Sequence, residues 1–141
     1  MESITLSGTL ASLEPIRAYV EAAGMQAGLD KKRLYRLTLA VDEIATNSIV
    51  HGYEEAGLSG NVTIGADLQP AALVVYIEDE AAPYNPLDNA MPTNLDAALQ
   101  ERDIGGLGVF LAVKNVDEFQ YEYSKGQNRN VLVMNLCQEE N

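Results

Sequence analysis

Three small groups of residues have types and spacings that could do chemistry. Glu43 and Asn47 stand four apart in the stretch from Leu37 to Val50, whose only other charge is Asp42. On a helix they project side by side, and the spacing places them on the face opposite the apolar stripe. A carboxylate and an amide in an otherwise apolar helix need partners. The plain alternative is a solvated outer face, although burying either group unpaired is costly. Asp79 closes an apolar run and is placed to accept a hydrogen bond from a ligand amine. Asp79-Glu80 leading to Pro83 equally reads as a turn started by an aspartate. Gly105-Gly106-Leu107-Gly108 precedes a helical pattern, so its backbone N–H groups could approach an anion with help from the helix dipole. A tight loop with close helix packing is the alternative, and no Gly-Lys-Ser/Thr follows to make a Walker loop. Arg102, just upstream, could reach a phosphate or be solvated.

Other residue types narrow the chemistry. One histidine (His51) and one cysteine (Cys137) argue against a zinc site and exclude an internal disulfide. His51-Gly52 at a helix end reads as a cap or dipole partner. Lys31, Lys32, Arg33 and Arg36 form the one dense basic patch and read as a solvated first turn. With 21 acidic against 9 basic residues, the formal charge is −12. A broad basic face for nucleic acid is therefore not expected, whereas a basic protein partner is. The amino terminus lacks a basic, then apolar, leader, and no apolar run approaches about 18 residues. No membrane contact and a cytoplasmic location are the expectations.

The elements that must position these groups are legible in the periodicity. At 141 residues the chain is expected to be one domain, 1–141. Residues 2–8 alternate as a short strand. Ser12 reads as the N-cap of a helix with Pro15 in its first turn and Ile16, Val20 and Ala23 inward, fading near Gly24 or Gly28. Asp30 caps a longer helix running to about Tyr53, with Leu34, Leu37, Val41, Ile44, Ala45, Ser48 and Ile49 as its stripe. Leu39 and Val50 on its far side suggest cover on two sides. Val62 to Leu68 and Ala71 to Ile77 make a hairpin broken at Gln69-Pro70, the second strand central. Residues 80–104, with Pro83, Pro86 and Pro92, read as a long functional loop with one helical turn near Leu95–Leu99. A helix with Val109, Val113 and Val116 follows. Phe119, Tyr121 and Tyr123 mark a half-buried strand, and a turn at 125–128 leads into a strand from Asn130 to Cys137, apolar on both faces. This order, β-α-α-β-β-loop-α-β-β, predicts an α+β fold, a two-layer sandwich.

In sequence, these pieces carry a resemblance. DEIATNSIVHGY, IEDEAAPYNP, ERDIGGLGVFLAVKNVDEFQYEY and GQNRNVLVM together resemble the GHKL (Bergerat-fold) ATPases, within them the small anti-sigma-factor serine kinases of the RsbW and SpoIIAB type. The resemblance spans roughly residues 5–137; His51-Gly52-Tyr53 and Asn128 are its finer details. It implies a mixed, mostly antiparallel sheet under a layer of helices, with ATP held between the long helix and a lid. Glu43 matches the family's general base, Asn47 its Mg2+ ligand and Asp79 the carboxylate that accepts the adenine amino group. Gly105, Gly106, Leu107 and Gly108 match its phosphate-binding motif, and Arg102 loosely matches a phosphate-contacting arginine. The implied partners are a sigma factor and a STAS-domain antagonist phosphorylated on serine, with a homodimer as the usual state.

One position departs from the pattern. Ala81 stands where the family has the glycine of D-x-G, and its Cβ would crowd the loop or disfavour a positive φ there. A binding module of the same fold without transferase activity, nucleotide-responsive or nucleotide-independent, is accordingly the alternative expectation. The ATP-binding half of a histidine kinase fits less well, because His51 lies inside the nucleotide-binding pattern.

Overall fold

Alternation of apolar and polar residues gives a sheet one face to bury, and here that face decides the architecture. The computed structural model describes residues 1–86 and 112–136. Five strands, β1 (Ile4–Ser7), β2 (Asn61–Leu68), β3 (Ala72–Asp79), β4 (Glu118–Ser124) and β5 (Gln127–Asn135), form one sheet in the order β1-β2-β3-β5-β4. Every described pairing is antiparallel. Helices α1 (Leu13–Ala27) and α2 (Lys31–Asn47) lie on the face that presents Val62, Ile64, Leu73, Val75, Ile77, Leu132 and Met134, all buried. This is the two-layer α+β sandwich expected from the sequence.

The opposite face has no second helical layer among the described residues. Val74, Tyr76, Val131 and Val133 are half-buried there, with the Arg129 guanidinium 4.2 Å above the Tyr76 ring and paired with Glu78. The near-continuous apolar runs of β3 and β5 therefore do not mean burial on both faces. β5 also begins at Gln127, three residues earlier than expected. Lys125 (φ 55°) and Gly126 (φ 77°) alone make the β4–β5 turn, the two-residue geometry whose twist suits a hairpin.

The helix ends show which local signals were sufficient. Gly28 closes α1 at φ 86°, and Asp30 caps α2 through Oδ1, which accepts from Arg33 N at 2.8 Å. Ser12 precedes α1 but does not cap it with its side chain. Its hydroxyl donates to Ser7 O at 2.6 Å and ties the 3-10 turn Leu10–Ser12 to β1. Arg33 is not a solvated first-turn residue either. It is 8% exposed and donates to Asp117 Oδ2 and Asn135 O, both at 2.6 Å, locking the start of α2 to the β4–β5 end of the sheet. At Gly24 a Cβ would lie 2.4 Å from Leu34 Cδ1, so glycine lets α1 and α2 approach closely.

The helix expected to run from Asp30 to Tyr53 is α-helical only to Asn47. Ser48–Glu54 continues as a π-helical turn, a widening often found at functional sites. Leu39 on the far side is 41% exposed, so cover on two sides is absent there. Residues 112–115 are helical and Ala112 and Val116 are buried. The helical turn expected near Leu95–Leu99, the start of the third helix and Cys137 lie outside the described residues. No described helix is long and apolar enough to cross a membrane.

Candidate functional site

At the end of β3, where it meets the π-helical turn, Ile44, Asn47, Ser48, Gly52, Asp79, Ala81, Ala82, Tyr84, Pro86, Asn128 and Asn130 line a narrow recess. Asp79 is 3% exposed. Its Oδ1 accepts from Ala81 N at 3.0 Å and from Asn128 Nδ2 at 2.8 Å. The first bond is the local turn expected of an aspartate before a loop. The second leaves Oδ1 satisfied, and among the described residues no hydrogen bond goes to Oδ2. Asp79 thus starts the turn, with Oδ2 left without a hydrogen-bond partner among the described residues.

Asn128 holds this corner together. Besides Asp79, Nδ2 donates to Ala82 O at 3.0 Å and Ala81 O at 3.2 Å. Its Oδ1 accepts from Tyr84 N at 3.0 Å and from the Tyr121 hydroxyl. Register explains the position, because Asn128 lies directly opposite Asp79 in the β3–β5 ladder. From the sequence Asn128 is expected only as a turn residue and a family detail, Tyr84 only as part of the IEDEAAPYNP motif and Asn130 only as the first residue of the last strand. The signal was two asparagines at period two on the inner face of an otherwise apolar strand, since buried amides need partners.

Asn47 is 5% exposed and lines the recess with Ile44 and Ser48, and its Nδ2 is buried without a hydrogen-bond partner among the described residues. It does not sit opposite the apolar stripe. Position 47 is three residues from Ile44 and seven from Ala40, both buried, so helical geometry turns it inward. Glu43, one turn earlier, does not line the recess as described. It is half-buried, and burial, then the nearby charge of Asp42, raises its pKa above the ordinary carboxylate value. Asp42 itself is paired with Arg17 at 2.9 Å.

Ala81 is 4% exposed. Among the described residues Lys125 alone of the non-glycines has a positive φ, so Ala81 needs no left-handed backbone. Gly52 makes room instead: a Cβ there would lie 3.0 Å from Ala81 Cβ. Tyr53 anchors the same corner. Its hydroxyl donates to Asn61 O and accepts from Glu80 N, both at 2.8 Å, while burial pushes its pKa up. Beside the recess, the ring of His51 lies 6.1 Å from that of Tyr84, and His51 Nδ1 shares a 2.8 Å hydrogen bond with Glu55. That partner fits a structural helix-end role. Arg102, Gly105, Gly106, Leu107 and Gly108 lie outside the described residues.

The carboxylate at the end of β3 and the buried asparagine of α2 thus line one recess. The sequence matches the histidine kinase-like ATPase domain over residues 6–136, and the chain belongs to that family. Within the family it is similar to an anti-sigma F factor of Clostridium acetobutylicum, 28% identical over 118 residues that cover 82% of this chain and 80% of the relative. An anti-sigma F factor of Clostridium kluyveri is 30% identical over 118 residues, covering 82% and 81%. Solved structures agree in fold. One holds the RsbU and RsbW domains of a Mycobacterium tuberculosis protein, with a TM-score of 0.59 and 14% identity, covering 95% of this chain and 32% of that one. The histidine kinase domain of a blue-light activated kinase from Erythrobacter litoralis has a TM-score of 0.55 and 18% identity, covering 87% and 62%.

Proposed function

We propose that this chain is a serine protein kinase of the anti-sigma-factor type, which binds Mg·ATP in the recess and phosphorylates a serine of a STAS-domain antagonist. The observation that carries the reading is Asp79: a buried carboxylate whose Oδ1 accepts two hydrogen bonds and whose Oδ2 accepts none among the described residues. An amine donor such as the adenine amino group is its natural complement. The relatives named as anti-sigma F factors support a sigma factor as the second partner, exchanged against the antagonist.

The donor set also fits a magnesium ion. Among the described residues no three His, Cys, Asp or Glu side chains cluster to hold a metal. Asn47, buried and lining the recess, would offer one amide oxygen to an ion that takes its remaining ligands from phosphates and water, the usual magnesium arrangement. When bound, the ion neutralises phosphate charge.

The chain's own groups do the rest. Asp79 orients the nucleotide by its base. Glu43, with its raised pKa, accepts the proton of the serine hydroxyl as that oxygen bonds to the γ-phosphorus and the bond to the β-phosphate oxygen breaks. A base whose pKa is moved toward the working pH suits that transfer. Gly105, Gly106, Leu107 and Gly108 are assigned to the phosphates through their backbone N–H groups, with Arg102 as a further phosphate contact. A homodimer is the state proposed for the chain. The cytoplasm is the compartment in which such a kinase meets a sigma factor.

A second reading rests on Ala81, whose methyl group lines the recess where the family carries glycine. In that reading the chain clasps its partner without transferring phosphate. Incubation with Mg·ATP and a STAS-domain antagonist separates the two. Phosphoserine that disappears in Glu43→Ala is the expected result. Full activity in Glu43→Ala overturns the assignment of the base, and stable complexes without phosphorylation favour the second reading.

A further inference from the structure

Asn130 also lines the recess, and it has not yet been given a role. It is 2% exposed, and its Oδ1 is buried without a hydrogen-bond partner among the described residues. Asn128, two residues earlier on the same face, has partners on both amide atoms. The ladder sets Asn128 opposite Asp79 and Asn130 opposite Ile77. Asn130 therefore stands two residues further from the strand end than Asp79, on the adjacent strand and in the same recess.

A leucine would occupy this volume without leaving a polar atom unpaired, and the same face of β5 continues as Leu132 and Met134. Burying an unsatisfied carbonyl costs stability, so packing alone does not account for an asparagine. Its amide is a donor and an acceptor side by side. That pair matches the edge of a base bearing an amino group next to a ring nitrogen, which is how asparagine reads adenine elsewhere. Guanine presents a carbonyl oxygen in place of the amino group and meets both the Asp79 carboxylate and the Asn130 oxygen with the wrong polarity.

We infer that Asn130 is a nucleobase-reading residue, which with Asp79 selects adenine over guanine. The inference rests on the nucleotide reading of the recess. Asn47 Nδ2, on the facing helix, is a second buried polar atom at this recess with no hydrogen-bond partner among the described residues.

The test is calorimetric titration of ATP and GTP into the unsubstituted protein, Asn130→Leu and Asn130→Asp, with thermal unfolding of each protein without nucleotide. Asn130→Leu is expected to unfold at the same or a higher temperature. Its affinity for ATP should fall about tenfold, the size of one lost paired contact, while GTP binding changes less. The ATP-to-GTP preference therefore shrinks. Asn130→Asp, which keeps an acceptor but loses the donor, should shrink the preference too, and it serves as the readout if the leucine variant does not fold. ATP affinity and preference unchanged in either folded variant overturn the inference while leaving the nucleotide reading intact. No ATP binding by the unsubstituted protein overturns both.

Discussion

The side-chain amide of Asn128 lies 2.8 Å from Asp79 Oδ1 across the β3–β5 ladder, and it also holds the carbonyls of Ala81 and Ala82 and the amide of Tyr84. One buried side chain thereby fixes both the carboxylate that would read a ligand and the loop that leaves it. Asn128→Ala should cost about 2–4 kcal/mol of stability, because several buried groups lose a partner at once. ATP affinity should fall with it. Denaturant unfolding and calorimetry measure the two effects, and a stable variant with unchanged affinity would deny Asn128 this role.

Local signals in the sequence led to the right structure where the physics is local. The Asp30 cap, the Gly28 terminus and the stripe of Leu37, Val41, Ile44 and Ile49 depend on residues within a turn or two. Readings failed where partners are remote. Arg33 looked solvated because Asp117 and Asn135 lie 84 and 102 residues away. Asn128 looked like a turn residue because Asp79 is 49 residues away. Asn47 was assigned to the wrong side although Ala40 and Ile44 point to the right one. The π-helical turn had no signal, since the apolar pattern of residues 44–49 suits either helix. The ordered motifs, in contrast, identified the family correctly although none suffices alone.

Glu43 sets up a pH test. Its folded pKa is raised above the unfolded value of about 4.3, so folding disfavours the ionised form. That penalty is full above the raised pKa and vanishes below about 4.3. Glu43→Gln should therefore be more stable than the unsubstituted protein near neutral pH, with the gap closing as the pH falls through the raised pKa. Thermal unfolding across that range checks it, and a gap that widens on acidification would contradict the burial of Glu43.

Tyr53 bridges Asn61 O and Glu80 N through one hydroxyl, and its ring packs where a Cβ on Gly8 or Gly60 would come within 2.5 or 2.8 Å. Tyr53→Phe keeps the ring and leaves both backbone groups unpaired, at a cost of about 1–3 kcal/mol. Gly60→Ala should be at least as damaging, because the ring is held at both ends. Equilibrium unfolding of the two variants decides, and a neutral Tyr53→Phe would mean that water replaces the hydroxyl.

Gly52 and Ala81 should be energetically coupled. A Cβ on Gly52 would sit 3.0 Å from Ala81 Cβ, so Gly52→Ala should destabilise the protein. The same change should be milder in the background of Ala81→Gly. A double-mutant cycle of unfolding energies measures this, with a coupling of about 0.5–3 kcal/mol for residues in contact. Additive effects would show that the π-helical turn and the Ala81 segment do not press on one another.

The central claim is that the recess at Asp79 binds ATP, and calorimetric titration of ATP with and without magnesium tests it most directly. The unsubstituted protein should bind ATP more tightly with magnesium than without, and Asp79→Asn should lose binding in both conditions. No binding at millimolar ATP, or binding indifferent to Asp79→Asn, would contradict the claim.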